Sequence, residues 1–238
     1  MATSNRGVGK RGRPYHHGNL RRALLDQALA TIRTEGVSGV TLREIGTRLG
    51  VSRTALYRHF ADKRALLTAV ATEGFRALRL QLVTAWEAGG CGDAAFSAMG
   101  VAYVRFAVAN PSYYRVMFGG FVDPQAQDAG LAAEAEGAFQ ALVDALAGLQ
   151  HDAVIRGDDT LLMARFVWSV VHGVAMLAID SRLREPADIE ELMKYALERL
   201  RTGIDAGTNL IPVSTRSGQG RKLRVKTAPP ARMIKGGP

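Results

Sequence analysis

Residues 41–60, TLREIGTRLGVSRTALYRHF, leave few folds open. Thr41 followed by Glu44 is a capping box, which starts a helix at Thr41. Leu42, Ile45 and Leu49 then recur on one helical face. Gly50 stops that helix, because a left-handed backbone costs glycine nothing. Ser52 caps a second helix over residues 53–59, with Leu56 and Phe60 four apart on its inner side. Gly46 stands where the second helix must cross the first, although a glycine there costs the helix about 1 kcal/mol. A small residue, three others and a turn glycine is the spacing of a DNA-binding helix-turn-helix.

The polar residues left over point the same way. Arg53, Thr54, Tyr57, Arg58 and His59 crowd the outward face of the second helix, with no acid among them. A merely solvated face would normally mix signs of charge.

Thr41, Ile45, Gly50-Val51-Ser52, Leu56-Tyr57, His59-Phe60, Lys63 and Leu66 resemble the DNA-binding domain of TetR-type transcriptional regulators. The match runs over residues 18–78, and Gly46 departs from it where the family more often has alanine. The resemblance implies that Arg53, Thr54 and Arg43 read bases while Tyr57, His59 and Lys63 hold phosphates. Thr41, Ser52, Ala55 and Arg58 complete the implied DNA surface. It also implies a homodimer on a palindromic operator, released by a small-molecule effector.

Charge divides the chain. Residues 1–67 carry 13 Lys/Arg against 4 Asp/Glu, residues 68–207 carry 11 against 18, and residues 208–238 carry 7 against none. A basic module joined to an acidic body suits a nucleic-acid reader with a regulatory half. The basic stretches at 1–17 and 208–238 read as disordered arm and tail, able to add nonspecific affinity or to do nothing.

Helical periodicity recurs through the rest, so an all-α fold is expected: a three-helix DNA-binding domain at 18–78 and a helical regulatory and dimerisation domain at 79–207. Breaks fall at Gly36, at 89–92, at Asn110-Pro111 and at Gly119-Gly120, with Asn110 as the cap of the helix that Pro111 begins. Residues 160–180 are apolar on nearly every side, which predicts burial all round, against the chain's own core and a second subunit. With the amphipathic helix after Pro186 this predicts a four-helix bundle across a two-fold axis. The apolar run at 166–179 is short of the ~20 residues a bilayer requires, and residues 1–14 are polar and basic rather than signal-like, so a cytoplasmic protein is expected.

Trp168 with His172-Gly173, preceded by residues 111–118, resembles the regulatory domain of one TetR-type subgroup. The effector site is expected on the inner face of the 160–180 helix. Phe106, Tyr114, Phe118, Met163 and Met176 would supply an apolar lining and His172 a polar contact. The alternative for His172 is a core histidine bonded to a backbone carbonyl.

Other chemistries find little support. Cys91 is the single cysteine, and His16-His17 lack a carboxylate or cysteine at ligand spacing, so no metal site is expected. The G-x-G-x-x-G at Gly7, Gly9 and Gly12 lacks its strand and helix. With no nucleotide loop or nucleophile elbow, neither an enzyme nor a cofactor is expected. The remaining alternatives are an activator of the same fold and an architectural DNA-coating protein.

Overall fold

A computed structural model describes residues 20–123, 128–183 and 185–204. The arm at 1–17, His16 and His17 included, and the tail at 208–238 lie outside them. The described residues form nine helices: α1 (Leu20–Glu35), α2 (Leu42–Leu49), α3 (Arg53–Tyr57), α4 (Lys63–Ala88), α5 (Asp93–Ala109), α6 (Pro111–Phe118), α7 (Ala129–His151), α8 (Thr160–Ile179) and α9 (Pro186–Ile204).

Helix starts follow the short polar residues. Thr41, Ser52 and Asp62 accept hydrogen bonds from the backbone N–H groups of Glu44, Ala55 and Ala65 at 3.2, 3.2 and 2.7 Å. Asp128 and Asp159 do the same for α7 and α8, both at 2.9 Å. Each satisfies one of the donors a helix N-terminus leaves open. Gly50 closes α2 at φ 67°, ψ 27°, in the left-handed region. At Gly46 a Cβ would lie 2.8 Å from Leu56 Cδ1, so α3 does cross α2 at that residue.

Two local expectations change. Only half of the capping box forms, because the Glu44 carboxylate pairs with Arg48 at 2.6 Å. Arg48 also reaches Glu35 at 2.7 Å and Thr31 Oγ1 at 3.3 Å, and so ties α2 to the end of α1. Asn110 does not cap α6 with its side chain. Its amide donates to the Phe106 carbonyl at 3.0 Å and closes α5 instead. Pro111 tolerates this because the first helical position has no N–H partner to lose.

At α8 the single chain supplies one side of the expected burial. Met163, Ala164, Val167, Val171, Val174, Ala175 and Ile179 are buried against the chain's own core. Leu161, Leu162, Phe166 and Leu177 are instead 42%, 64%, 52% and 44% exposed. The helix is apolar all round but covered on one side. Its first turns bring it to 20 residues, so by length and composition alone it matches a bilayer span, although one face is committed to the core.

One continuous apolar core joins the helices. Leu24, Leu25, Ala28 and Ile32 of α1 are buried, as are Ile45, Leu56, Phe60, Leu66 and Val70. Helix α4 then runs on against α5, α6 and α7, while α8 packs on α5, α7 and α9. At 26 residues α4 is about 39 Å long, enough to serve both halves.

The Gly50 geometry predicts a backbone effect without a steric one, since nothing lies within 4 Å of a Cβ built there. Gly50→Ala should lower stability in thermal denaturation by about 1–2 kcal/mol. Gly50→Asn should lose less, because asparagine visits the left-handed region more readily. Equal losses for the two would show that the backbone conformation is not the cause.

Candidate functional site

Helix α3 is held from behind and bare in front. Leu56 is buried, while Arg53, Thr54, Tyr57, Arg58 and His59 are exposed, together with Thr41, Arg43 and Ser52. Ala55 and Lys63 are half-buried. The Arg53 guanidinium lies 5.5 Å from the centre of the Tyr57 ring, which limits its wandering. The Thr41 and Ser52 oxygens accept their capping bonds, which leaves each hydroxyl proton free to donate outward. Lys63 Nζ donates to the Ser38 carbonyl at 3.2 Å, so this ammonium is anchored to the turn between α1 and α2. All ten residues of the expected DNA surface are thus gathered on α2, α3, the residues flanking them and the start of α4.

The second site lies among α4 to α9. A cavity of about 340 Å³ is enclosed by side chains of these helices, with Phe75, Leu78 and Leu82 of α4 on one wall. Phe96, Met99 and Tyr103 come from α5, and Met117 and Phe118 from α6. Phe139 and Leu142 of α7 and Arg165 and Trp168 of α8 complete the lining, with the Phe139 and Trp168 rings packed edge to face at 6.0 Å.

Of the six residues expected to form an effector site, Phe118 is in that lining. Phe106, Tyr114 and Met163 are buried and outside the lining, Tyr114 directly behind Phe118 with ring centres 4.7 Å apart, and Met176 is half-buried outside it. His172 stands behind the wall, in a knot of hydrogen bonds. Its Nδ1 is 2.7 Å from the Tyr114 hydroxyl and 3.1 Å from that of Tyr103. The two hydroxyls are 2.9 Å apart, and the Trp168 indole N–H donates to Tyr103 at 3.1 Å. His172 therefore bonds two phenols rather than a backbone carbonyl.

Burial fixes the protons in this knot. It pushes the Tyr103 hydroxyl up to about 12, and it raises Tyr114 as well, with the neighbouring Tyr103 adding to the effect. Burial also lowers His172, which favours the neutral ring. With Nδ1 accepting from Tyr114, Tyr103 donates to the Tyr114 oxygen and Trp168 donates to Tyr103. The Tyr103 proton is then shared between the Tyr114 oxygen and His172 Nδ1, since the 3.1 Å contact to Nδ1 has no other donor.

A polar clasp connects the two sites. Glu73 on α4 pairs with Arg22 of α1 at 3.1 Å and Arg21 at 3.7 Å, and accepts a bond from the Tyr113 hydroxyl of α6 at 3.3 Å. Beside it, a Cβ on Gly74 would lie 2.5 Å from Met117 Sδ, so α6 rests directly on α4. From the same helix Arg115 donates to the Ile179 carbonyl of α8 at 2.9 Å.

The comparisons with known proteins follow this geometry. Residues 24–70 match the model of bacterial regulatory proteins of the tetR family, and residues 96–200 match a tetracyclin repressor-like C-terminal domain. The chain belongs to the tetR family. It is therefore a DNA-binding transcriptional regulator with a helix-turn-helix. A solved protein of unknown function from Rhodococcus sp. RHA1 is 31% identical with a TM-score of 0.70, and the match spans 82% of this chain and 100% of that one. An uncharacterized HTH-type transcriptional regulator of Bacillus subtilis, YobS, is 25% identical over 79% of this chain and 93% of its own. Tetracycline repressor protein class C of Escherichia coli is 47% identical over 51 residues, 21% of this chain and 23% of that one.

Sequence reasoning missed Tyr103, Trp168 and Arg165 as cavity residues. Periodicity places Phe96, Met99 and Tyr103 on one face of α5, but it cannot tell a filled core from a hollow one.

The lowered His172 has a consequence for stability. Its folded value lies below the ordinary ~6.5, so below that pH the unfolded chain binds more protons than the folded one. Stability should fall as pH drops from about 6.5 towards the folded value. His172→Gln should flatten that part of a melting-temperature profile. An unchanged slope would place the acid sensitivity elsewhere.

Proposed function

We propose that the protein is a homodimeric repressor that leaves a palindromic operator when a small molecule enters the α4–α9 cavity. Regulators of this family bind DNA operators, dimerise and respond to small-molecule effectors, and repression is their usual mode. The observation that carries the reading is the face of α3 and the turn after it, where Arg53, Arg58 and His59 are exposed and make no ion pair among the described residues. In this reading residues 18–78 form the DNA-binding module and residues 79–207 the regulatory and dimerisation half. The protein acts in the cytoplasm, on its DNA. Arg53, Thr54 and Arg43 read bases, and Tyr57, His59 and Lys63 hold phosphates.

The uncovered face of α8 is the proposed dimer surface, because soluble monomers rarely leave large apolar patches open. A two-fold partner covers it with its own copy and sets the two α3 helices about 34–36 Å apart, one turn of DNA. An effector then acts by mechanics. Filling the cavity displaces Met117 and Phe118, moves α6 along α4 and draws Tyr113 away from Glu73, which loosens the hold on α1. The heads leave their spacing and the operator is released.

Selection of bound duplexes from a random pool tests the reading, with a palindrome as the expected outcome. On the selected site Arg53→Ala should cost about 1–3 kcal/mol and relax the choice at one base pair. Lys63→Ala should weaken all sequences alike and lower the salt slope by about one unit. The same behaviour from both variants across an operator library would overturn the division of roles. No sequence preference with a steep salt dependence would favour a DNA-coating protein instead.

The dimer face has its own test. Phe166→Glu should convert the dimer to folded monomers in sedimentation and weaken operator binding, with the helical spectrum retained. A variant that stays dimeric would move the interface away from α8.

A further inference from the structure

The cavity is apolar except at three side chains, and two of those are already engaged. Among its lining residues, polar atoms come from Tyr103, Trp168 and Arg165. The Trp168 N–H donates to Tyr103, and the Tyr103 hydroxyl belongs to the knot with Tyr114 and His172. Arg165 differs from both. It is exposed at the opening of the cavity, and it makes no hydrogen bond or ion pair among the described residues. Its guanidinium offers five N–H donors in a planar fork, the geometry that fits a carboxylate with two parallel bonds.

We propose that the effector is an apolar molecule with one anionic end group, its body in the cavity and its anion on Arg165. The proposal rests on the reading of the cavity as the effector site. Placement at the opening matters as much as charge. A carboxylate buried deep among Leu78, Met99 and Leu142 would lose its hydration without a partner. At the opening it keeps water on one side and gains the guanidinium on the other. A ligand with a second polar group along its body would meet no free donor or acceptor in the cavity, which selects against it. About 340 Å³ lies at the small end of ligand cavities, consistent with one compact body rather than an extended conjugate.

Three probes that share a ten-carbon chain separate the possibilities: decanoate, decan-1-ol and decylammonium. Binding below micelle formation is read from Trp168 emission in the full chain carrying Trp86→Phe, which leaves Trp168 as the single indole. Decanoate should bind at least fivefold tighter than decylammonium. Arg165→Met should raise the dissociation constant of decanoate relative to decan-1-ol by about fivefold or more. The ratio cancels any general change in the cavity.

A ratio unmoved by Arg165→Met overturns the proposal, as does decylammonium binding as tightly as decanoate. If decan-1-ol binds while the ratio stays fixed, the cavity reading stands and the anionic class falls. If none of the three perturbs Trp168, the cavity reading falls with it. If Arg165→Met shifts the dimer dissociation constant but leaves the ratio alone, Arg165 is a subunit contact and the proposal fails.

Discussion

A rigid helix cannot run through both halves of one core without coupling them, and α4 is such a helix. Leu66, Leu67 and Val70 near its start are buried in the core shared with α1. Phe75, Leu78 and Leu82 further along are walls of the cavity. Val70 and Leu78 are separated by about 12 Å along the axis. No glycine-rich break interrupts that distance, and Gly74 within it serves to admit Met117 of α6 rather than to bend the helix. Any change in the shape of the cavity is felt by the same rigid body that positions the helix-turn-helix.

The contacts around α4 fall into two energetic kinds. The Arg22–Glu73 pair is partly exposed, with side-chain exposures of 51% and 22%, and pairs of that sort contribute ~0–1 kcal/mol. The Tyr103–Tyr114–His172 knot is different, because Tyr114 is wholly buried and an orphaned partner there would cost ~1–3 kcal/mol. The knot fixes the middle of α6 to α5 and α8 through Tyr114, whereas the clasp holds the neighbouring Tyr113 to α4 by a weak bond. A switch needs that inequality. The part that moves must be cheap to release, and the wall it moves against must hold.

Much of the fold was legible because it is written in local chemistry. Thr41, Ser52 and Asp62 are caps wherever they stand, Gly50 needs no neighbour to adopt its φ, and Pro111 can only begin a helix. The misreadings occur where a residue has two local options or a distant partner. Asn110 could serve the helix before it or the one after, and the Phe106 carbonyl lies within its reach. Glu44 could complete the capping box or meet Arg48, and a charged partner gives the stronger bond. His172 finds its partners 58 and 69 residues away, a pairing no periodicity reveals. The DNA-facing residues were legible together because they sit within one short motif. The cavity was not, since it is a hollow among five or more helices and apolar spacing looks the same beside a void as beside a neighbour.

Helix α8 raises for the proposed dimer the question that α4 raises within one chain. Successive residues of a helix point about 100° apart, so one turn can address two different surroundings. Arg165, Val167, Trp168 and Val171 face the cavity, while Leu162 and Phe166 stand out on the uncovered side. In the proposed dimer a wall one helix thick would separate a cavity ligand from the partner. In a two-fold assembly that wall exists twice, and the two copies meet each other. A body pressing on Trp168 from within then changes the crossing of the paired α8 helices, just as pressure on Leu78 changes the tilt of α4. Both displacements act on the separation of the two α3 helices, and a palindrome in rigid duplex DNA accepts one separation. In the proposed mechanism release therefore does not require the recognition surface itself to be altered, and the cations of α3 would remain in place while the DNA is lost.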